Sequence, residues 1–317
     1  MDKKGYEKKG KGLHDAFVKQ TLGRIDLAQN FLQTYLPEEI RAEMDLSTLK
    51  ACKGEYVDPK LRKHFFDLLF EVQRQGEPSF VYILVEHKSY PDKKVAFQLL
   101  GYMAKIWQQS MQQGEDKAPL ILPILIYNGY QPWEVEPRLQ SFLQGGEKLS
   151  EAFRRYVPNF AFLTYDYSPG NSTPIQGSPF LKTILTALRA AREKDREEFL
   201  KSVTEISIIF QESKGDKSEE KEIFTVVFYY LMHAQQEVTV EEIMEAAGER
   251  GEDVKSLADR LYEEGLEEGI EEGIEEGKMQ SALRFIARGM PMEEVSQVLG
   301  IPEEKIFEFQ RKTREQR

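Results

Sequence analysis

The sequence predicts an α/β fold followed by an all-helical C-terminal region. Phe80 to Val85 and Leu120 to Tyr127 are short, continuous apolar runs, the pattern of strands buried on both faces of a sheet. Between them, residues 94–111 place Val95, Phe97, Leu99, Leu100, Met103, Ile106 and Trp107 on the apolar side of a long helix. A helix crossing between two buried strands implies at least one parallel pair. After residue 180 the pattern is almost wholly helical.

Taken in order, residues 1–12 form a Gly-punctuated basic arm with Lys3, Lys4, Lys8, Lys9 and Lys11, read either as a phosphate-contacting arm or as a solvated tail. Residues 14–36 carry Phe17, Leu22, Ile25, Ala28, Phe31, Leu32 and Tyr35, which fits one or two amphipathic helices stopped before Pro37. Leu61 to Gln73 shifts to strand composition, and Gly76 to Ser79 reads as a turn into the Phe80 strand. Tyr90-Pro91-Asp92 breaks that strand before the long helix. Asn128-Gly129 ends the next strand, and Phe160 to Tyr165 is the last one before Asp166. Residues 168–178 are a linker rich in Pro, Gly, Ser and Asn. The expected division is an arm (1–12), an α/β core (13–178), a helical region (179–255) and a helical tail (256–317).

A chain of 317 residues with 40% hydrophobic and 31% charged residues has the composition of a soluble globular protein. No apolar run is long enough to span a bilayer, and the start of the chain has no secretory h-region, so the expected address is cytoplasmic with no membrane partner. A lone cysteine, Cys52, excludes an internal disulfide and a zinc ribbon. The net charge of -11 argues against phosphate binding until it is divided. Residues 1–180 hold 23 Lys+Arg against 22 Asp+Glu, a net of +1, so the acidity belongs to the helical half.

The chemistry gathers at the end of the Phe80 strand. Side chains alternate along a strand, so Tyr82, Leu84, Glu86 and Lys88 share a face. The preceding strand carries Asp67 among Phe65, Phe66, Leu68 and Leu69, a costly place for an acid unless it is paired or metal-bound. Two carboxylates supply hard oxygen ligands for Mg²⁺ or another divalent cation, which polarises a phosphate and acidifies water. Lys88 is placed to orient that water or to neutralise charge developing on the phosphate. A structural Glu–Lys pair beside an unrelated acid fits the same spacing. His87 alternates to the opposite face, from which its carbonyl can still reach the cation. Gln98, on the long helix, reads either as a polar group facing the site or as a surface glutamine. Asp15 and Asp166 are further acids, each with a structural reading beside the functional one. Tyr130 and Trp133 read as packing residues rather than stacking platforms for bases.

Several segments resemble the Rpn family of recombination-promoting nucleases, also known as YhgA-like transposases. They are His14-Asp15-Ala16-Phe17-Val18-Lys19, Asp67-Leu68-Leu69-Phe70, Val85-Glu86-His87-Lys88-Ser89, Pro91-Asp92-Lys93 followed by Ala96 to Leu100, and Pro123 with Tyr127-Asn128-Gly129. They fall in the family's order over roughly residues 13–167. The resemblance implies a PD-(D/E)XK core, that is, a restriction-endonuclease-like mixed sheet flanked by helices. It also implies divalent-metal dependence and cleavage of duplex DNA in recombination or transposition. Carried over by residue, Asp67 and Glu86 are the metal ligands and Lys88 the catalytic lysine. The first motif is degenerate, since Phe66 rather than Pro precedes Asp67. The alternative function is a nuclease-fold protein that is catalytically silent and serves in DNA binding or assembly.

Residues 262–277 repeat Tyr/Leu/Ile-Glu-Glu-Gly four times. On a helix, a four-residue period advances about 40° per repeat, so Leu266, Ile270 and Ile274 form a winding stripe beside four glycines. Glycine costs about 1 kcal/mol per helical position, so the repeat reads either as a close-packing helix that makes a homo-oligomer, a dimer in the simplest case, or as a flexible acidic linker. Beyond it, short helices around Gly300-Ile301-Pro302 are similar to a helix-turn-helix, or form a small packing unit.

Overall fold

The computed structural model describes residues 13–14, 16–52, 68–86, 92, 94–213, 216–235, 237–287 and 290–315. The chain divides into two compact units, residues 1–254 and 255–317.

The first unit is built on five strands, β1 (Met44–Ala51), β2 (Leu68–Arg74), β3 (Glu77–Glu86), β4 (Leu120–Tyr127) and β5 (Leu163–Asp166), which lie in the sheet in the order of the chain. Pairing is antiparallel from β1 to β3 and parallel from β3 to β5, so the sheet is mixed, as expected for the α/β fold. Helix α1 (Ile25–Tyr35) and the short α2 (Glu38–Arg41) precede it, and α3 (Val95–Gln112) makes the crossover from β3 to β4.

Alternation on β4 explains the layering. Leu125 and Tyr127 join Leu69, Phe80, Val95, Leu99 and Ile106 in a core beneath α3. Ile124 and Ile126 are equally buried but belong to the opposite face. There Ile126 pairs in register with Tyr165, whose ring meets Phe31 of α1 edge-on at 5.2 Å. Helices therefore cover both faces of the parallel strands, the arrangement such strands require.

The sequence reading departs from the structure at three places. The hairpin between β2 and β3 is a two-residue turn, Gln75-Gly76, and Gly76 to Ser79 is not a turn as expected. Both turn residues adopt positive φ (51° and 83°), the primed geometry that matches strand twist, so β3 already begins at Glu77. Strand β1 was not foreseen. Its two buried leucines, Leu46 and Leu49, stand three residues apart rather than two, because the register shifts between Asp45 and Lys50. Phe97 was counted on the apolar side of α3 but is 45% exposed, opposite the arc of Val95, Leu99, Met103 and Ile106. Of the strand expected over Leu61 to Gln73, residues 61–67 lie outside the described residues.

After a short helix α4 (Glu151–Arg154) before β5, four helices complete the unit: α5 (Pro179–Ala190), α6 (Arg196–Glu212), α7 (Lys217–Ala234) and α8 (Val240–Ala247). Ser178, Asp195 and Asp216 cap the first three through their side chains, and Thr239 with Glu242 forms a capping box on α8. Helical residues 16–21 dock against α7, with Phe17 stacked on Tyr230 at 3.9 Å and His14 Nδ1 2.5 Å from the Tyr230 hydroxyl. Complete burial holds the Tyr230 phenol well above its ordinary pKa.

Helix α9 (Gly251–Ala287) is 37 residues long and runs unbroken through the glycine repeat. In the second unit, Met279 and Ala282 of this helix pack with Val295 of α10 (Met292–Leu299), Ile301, and Ile306 of α11 (Glu303–Glu315). Gly300 stops α10 in the left-handed conformation, φ 65°, and Pro302 follows. No described helix is long and apolar enough to cross a membrane.

Candidate active site at the C-terminal edge of the sheet

The parallel strands end together. Glu86, the last residue of β3, is the register partner of Tyr127, the last of β4, which in turn partners Asp166, the last of β5. Strand β2 runs the other way and starts at this edge, with Leu68 paired to Ile83. Open α/β sheets bind ligands outside the carboxyl ends of their strands, and this row is that edge.

Of the predicted site residues, the structure describes the backbone of Glu86 and the side chain of Gln98. Asp67, His87 and Lys88 lie outside the described residues, as does Asp15. The covalent chain nevertheless ties Asp67 to Leu68 at the start of β2, and His87 and Lys88 to Glu86. Among the described residues no group of three or more His, Cys, Asp or Glu could hold a metal ion.

Gln98 is the fourth residue of α3, the helix that leaves this edge. Its amide oxygen is buried and has no hydrogen-bond partner among the described residues. Leaving such an oxygen unsatisfied costs about 1–3 kcal/mol. Asp92 is buried just before the helix, and its Oδ1 accepts from the N–H of Lys94 at 2.9 Å, fixing the helix entry.

Asp166 has structural work. Its Oδ2 accepts from the backbone N–H of Trp133 at 2.9 Å and its Oδ1 from that of Ser168 at 2.8 Å, so both oxygens hold loops. Trp133 packs edge-on against Tyr127 at 5.1 Å, and its indole N–H donates to Val135 O.

Sequence reasoning missed the support on the far side of β4. Asn128 is fully buried, its Nδ2 donating to Leu188 O at 2.9 Å, while its own carbonyl accepts from Arg192 Nε at 3.1 Å. The guanidinium of Arg192 sits 5.1 Å from the centre of the Tyr130 ring, and Lys194 Nζ 4.9 Å from it. The Asn128-Gly129 pair is visible in the sequence only as a turn. Nothing local reveals that its partners lie about sixty residues on.

The fold is that of a mixed α/β sheet whose middle strand, β3, ends on Glu86. The family model described as "Putative transposase, YhgA-like" matches residues 12–221, and the chain belongs to that family. It is 30% identical over 291 residues to recombination-promoting nuclease RpnC of Escherichia coli (strain K12), covering 91% of this chain and 94% of that protein. It is also 24% identical over 298 residues to recombination-promoting nuclease RpnA of the same organism, covering 92% and 95%. The inactive recombination-promoting nuclease-like protein RpnE, again from that strain, is 26% identical over 282 residues, covering 89% and 92%. No solved structure matches the chain.

Proposed function

We propose that this chain is a divalent-metal-dependent DNA endonuclease that hydrolyses phosphodiester bonds in recombination or transposition. The observation that carries the reading is the alignment of Glu86 with Tyr127 at the carboxyl edge of the parallel strands, with Lys88 two residues further along the chain. The names of RpnC and RpnA support the nuclease role, and in the sequence Asp67 directly precedes Leu68, the first residue of the antiparallel neighbour that begins at the same edge.

In this reading Asp67, Glu86 and the carbonyl of His87 hold the cation. A bound Mg²⁺ would polarise the scissile phosphate and make water more acidic. Lys88 orients the attacking water and offsets the negative charge that builds on the phosphate. Gln98 offers its amide oxygen to that water or to the substrate, which accounts for a buried acceptor with no partner among the described residues. The helices after residue 255 pair two copies so that two sites can address opposite strands.

The name of RpnE favours a second reading, a nuclease fold that binds DNA or assembles without cutting. A plasmid-nicking assay with Mg²⁺ and with EDTA separates the two. Asp67→Ala, Glu86→Gln and Lys88→Ala should each slow nicking at least a hundredfold, about 3 kcal/mol of barrier. Equal nicking by all variants, or none by the wild type, would remove the nuclease assignment.

A further inference from the structure

We infer that Lys194, seated with Arg192 on the Tyr130 ring, contacts the phosphate backbone of duplex DNA beside the proposed active site. This rests on the nuclease reading above and names the surface by which that site would engage its substrate.

The position follows from the sheet. Tyr127 is the register partner of Glu86, Asn128 follows Tyr127, and the Asn128 carbonyl accepts from Arg192 Nε at 3.1 Å. Along that path Arg192 Nε lies no more than about 14 Å from the Glu86 backbone. One DNA strand rises 3.4 Å per charge, so that span corresponds to about four nucleotides. A phosphate held there therefore belongs to the same stretch of strand as one at the carboxyl edge.

The chemistry is that of a cationic platform. Two positive groups lie 5.1 and 4.9 Å from the centre of one aromatic ring, whose face attracts cations. Asn128 holds the guanidinium in place through its Nε. Lys194 is exposed and makes no ion pair among the described residues. The carboxylates next to it in the chain are turned to the backbone. Glu193 Oε1 accepts from the N–H groups of Lys194 and Asp195, and Asp195 Oδ1 accepts from those of Glu197 and Glu198. The Tyr130 ring supports the ammonium while its charge faces solvent, where a phosphodiester oxygen can reach it.

The test is equilibrium binding of the full chain to a fluorescent duplex of twenty base pairs, in EDTA and across 50–200 mM KCl, beside the nicking assay. Lys194→Gln should weaken binding several-fold for every sequence tried and reduce the log–log salt slope by about 0.9, one phosphate contact. Lys194→Arg should restore both values, and the melting temperature of Lys194→Gln should match wild type because the residue is exposed. Wild-type affinity and salt slope in Lys194→Gln, with the native chain still binding and nicking DNA, would overturn this inference and leave the nuclease reading intact. A native chain that neither binds nor nicks the duplex would overturn both.

Discussion

The Asp166 carboxylate and the backbone N–H of Trp133 are joined by a 2.9 Å hydrogen bond that ties the end of β5 to the loop leaving β4. Because the second oxygen of the same carboxylate accepts from Ser168 N–H, Asp166→Ala strands two donors at once. Unfolding in urea should show a loss of about 3–6 kcal/mol, since hydrogen bonds to a charged group are worth about 1.5–3 kcal/mol each. Asp166→Asn keeps one acceptor and should recover part of it.

Gln98 offers a sharper contrast, because a group held for function is often a burden on the fold. Gln98→Leu replaces a buried oxygen that has no partner among the described residues with a side chain of similar size. Stability should hold or rise by up to about 1 kcal/mol, a gain of a few degrees in melting temperature, while nicking falls at least tenfold. Lower stability together with unchanged nicking would show the amide to be structural.

Cys52 is half-buried, with its N–H bonded to Leu69 O, and burial pushes its thiol up to about 12, Glu71 adding to the effect. The proton is held more tightly in the folded chain. This stabilisation is complete below the ordinary thiol value near 9 and is lost as pH rises from there to about 12. Alkylation by iodoacetamide at pH 8 should be at least a hundredfold slower in the native protein than in the urea-unfolded chain. Stability should begin to fall above pH 9, and Cys52→Ala should remove that part of the fall.

Tyr230→Phe deletes the hydroxyl bonded to His14 Nδ1 and leaves the stacking on Phe17 available. The expected cost is about 1–3 kcal/mol, measured by chemical denaturation. His14→Ala should cost more, because it leaves a cavity as well as an unpaired hydroxyl.

The α/β class could be read from the sequence because the Phe80–Val85 run of β3 and the whole of β4 are apolar and a helical period lies between them. Strand β1 could not, because a register shift spaces its leucines by three and erases the alternation that betrays a strand. Of the candidate site, Glu86 stood out as a charge at the end of a buried run, and the structure puts it on the edge that parallel topology selects. Asp166 carried the same local signal but is occupied by Trp133 and Ser168, neighbours that only the tertiary fold supplies. Arg192 and Lys194 were illegible for the same reason. Their meaning depends on Tyr130 and Asn128, which the fold brings to them from across the chain.

The pairing of His14 with Tyr230 spans 216 residues, while the strands lie in the sheet in the order in which they leave the ribosome. At about 5–20 residues per second, the first helical segment waits roughly 10–40 s for the helix that receives it. In the last part of that interval, after Asp166 and before Tyr230, the nascent chain can hold a sheet with its carboxyl edge formed but its N-terminal segment undocked. A chain built this way fastens its first helical segment only in the last third of its synthesis, so the sheet is in place before the clasp that closes over it.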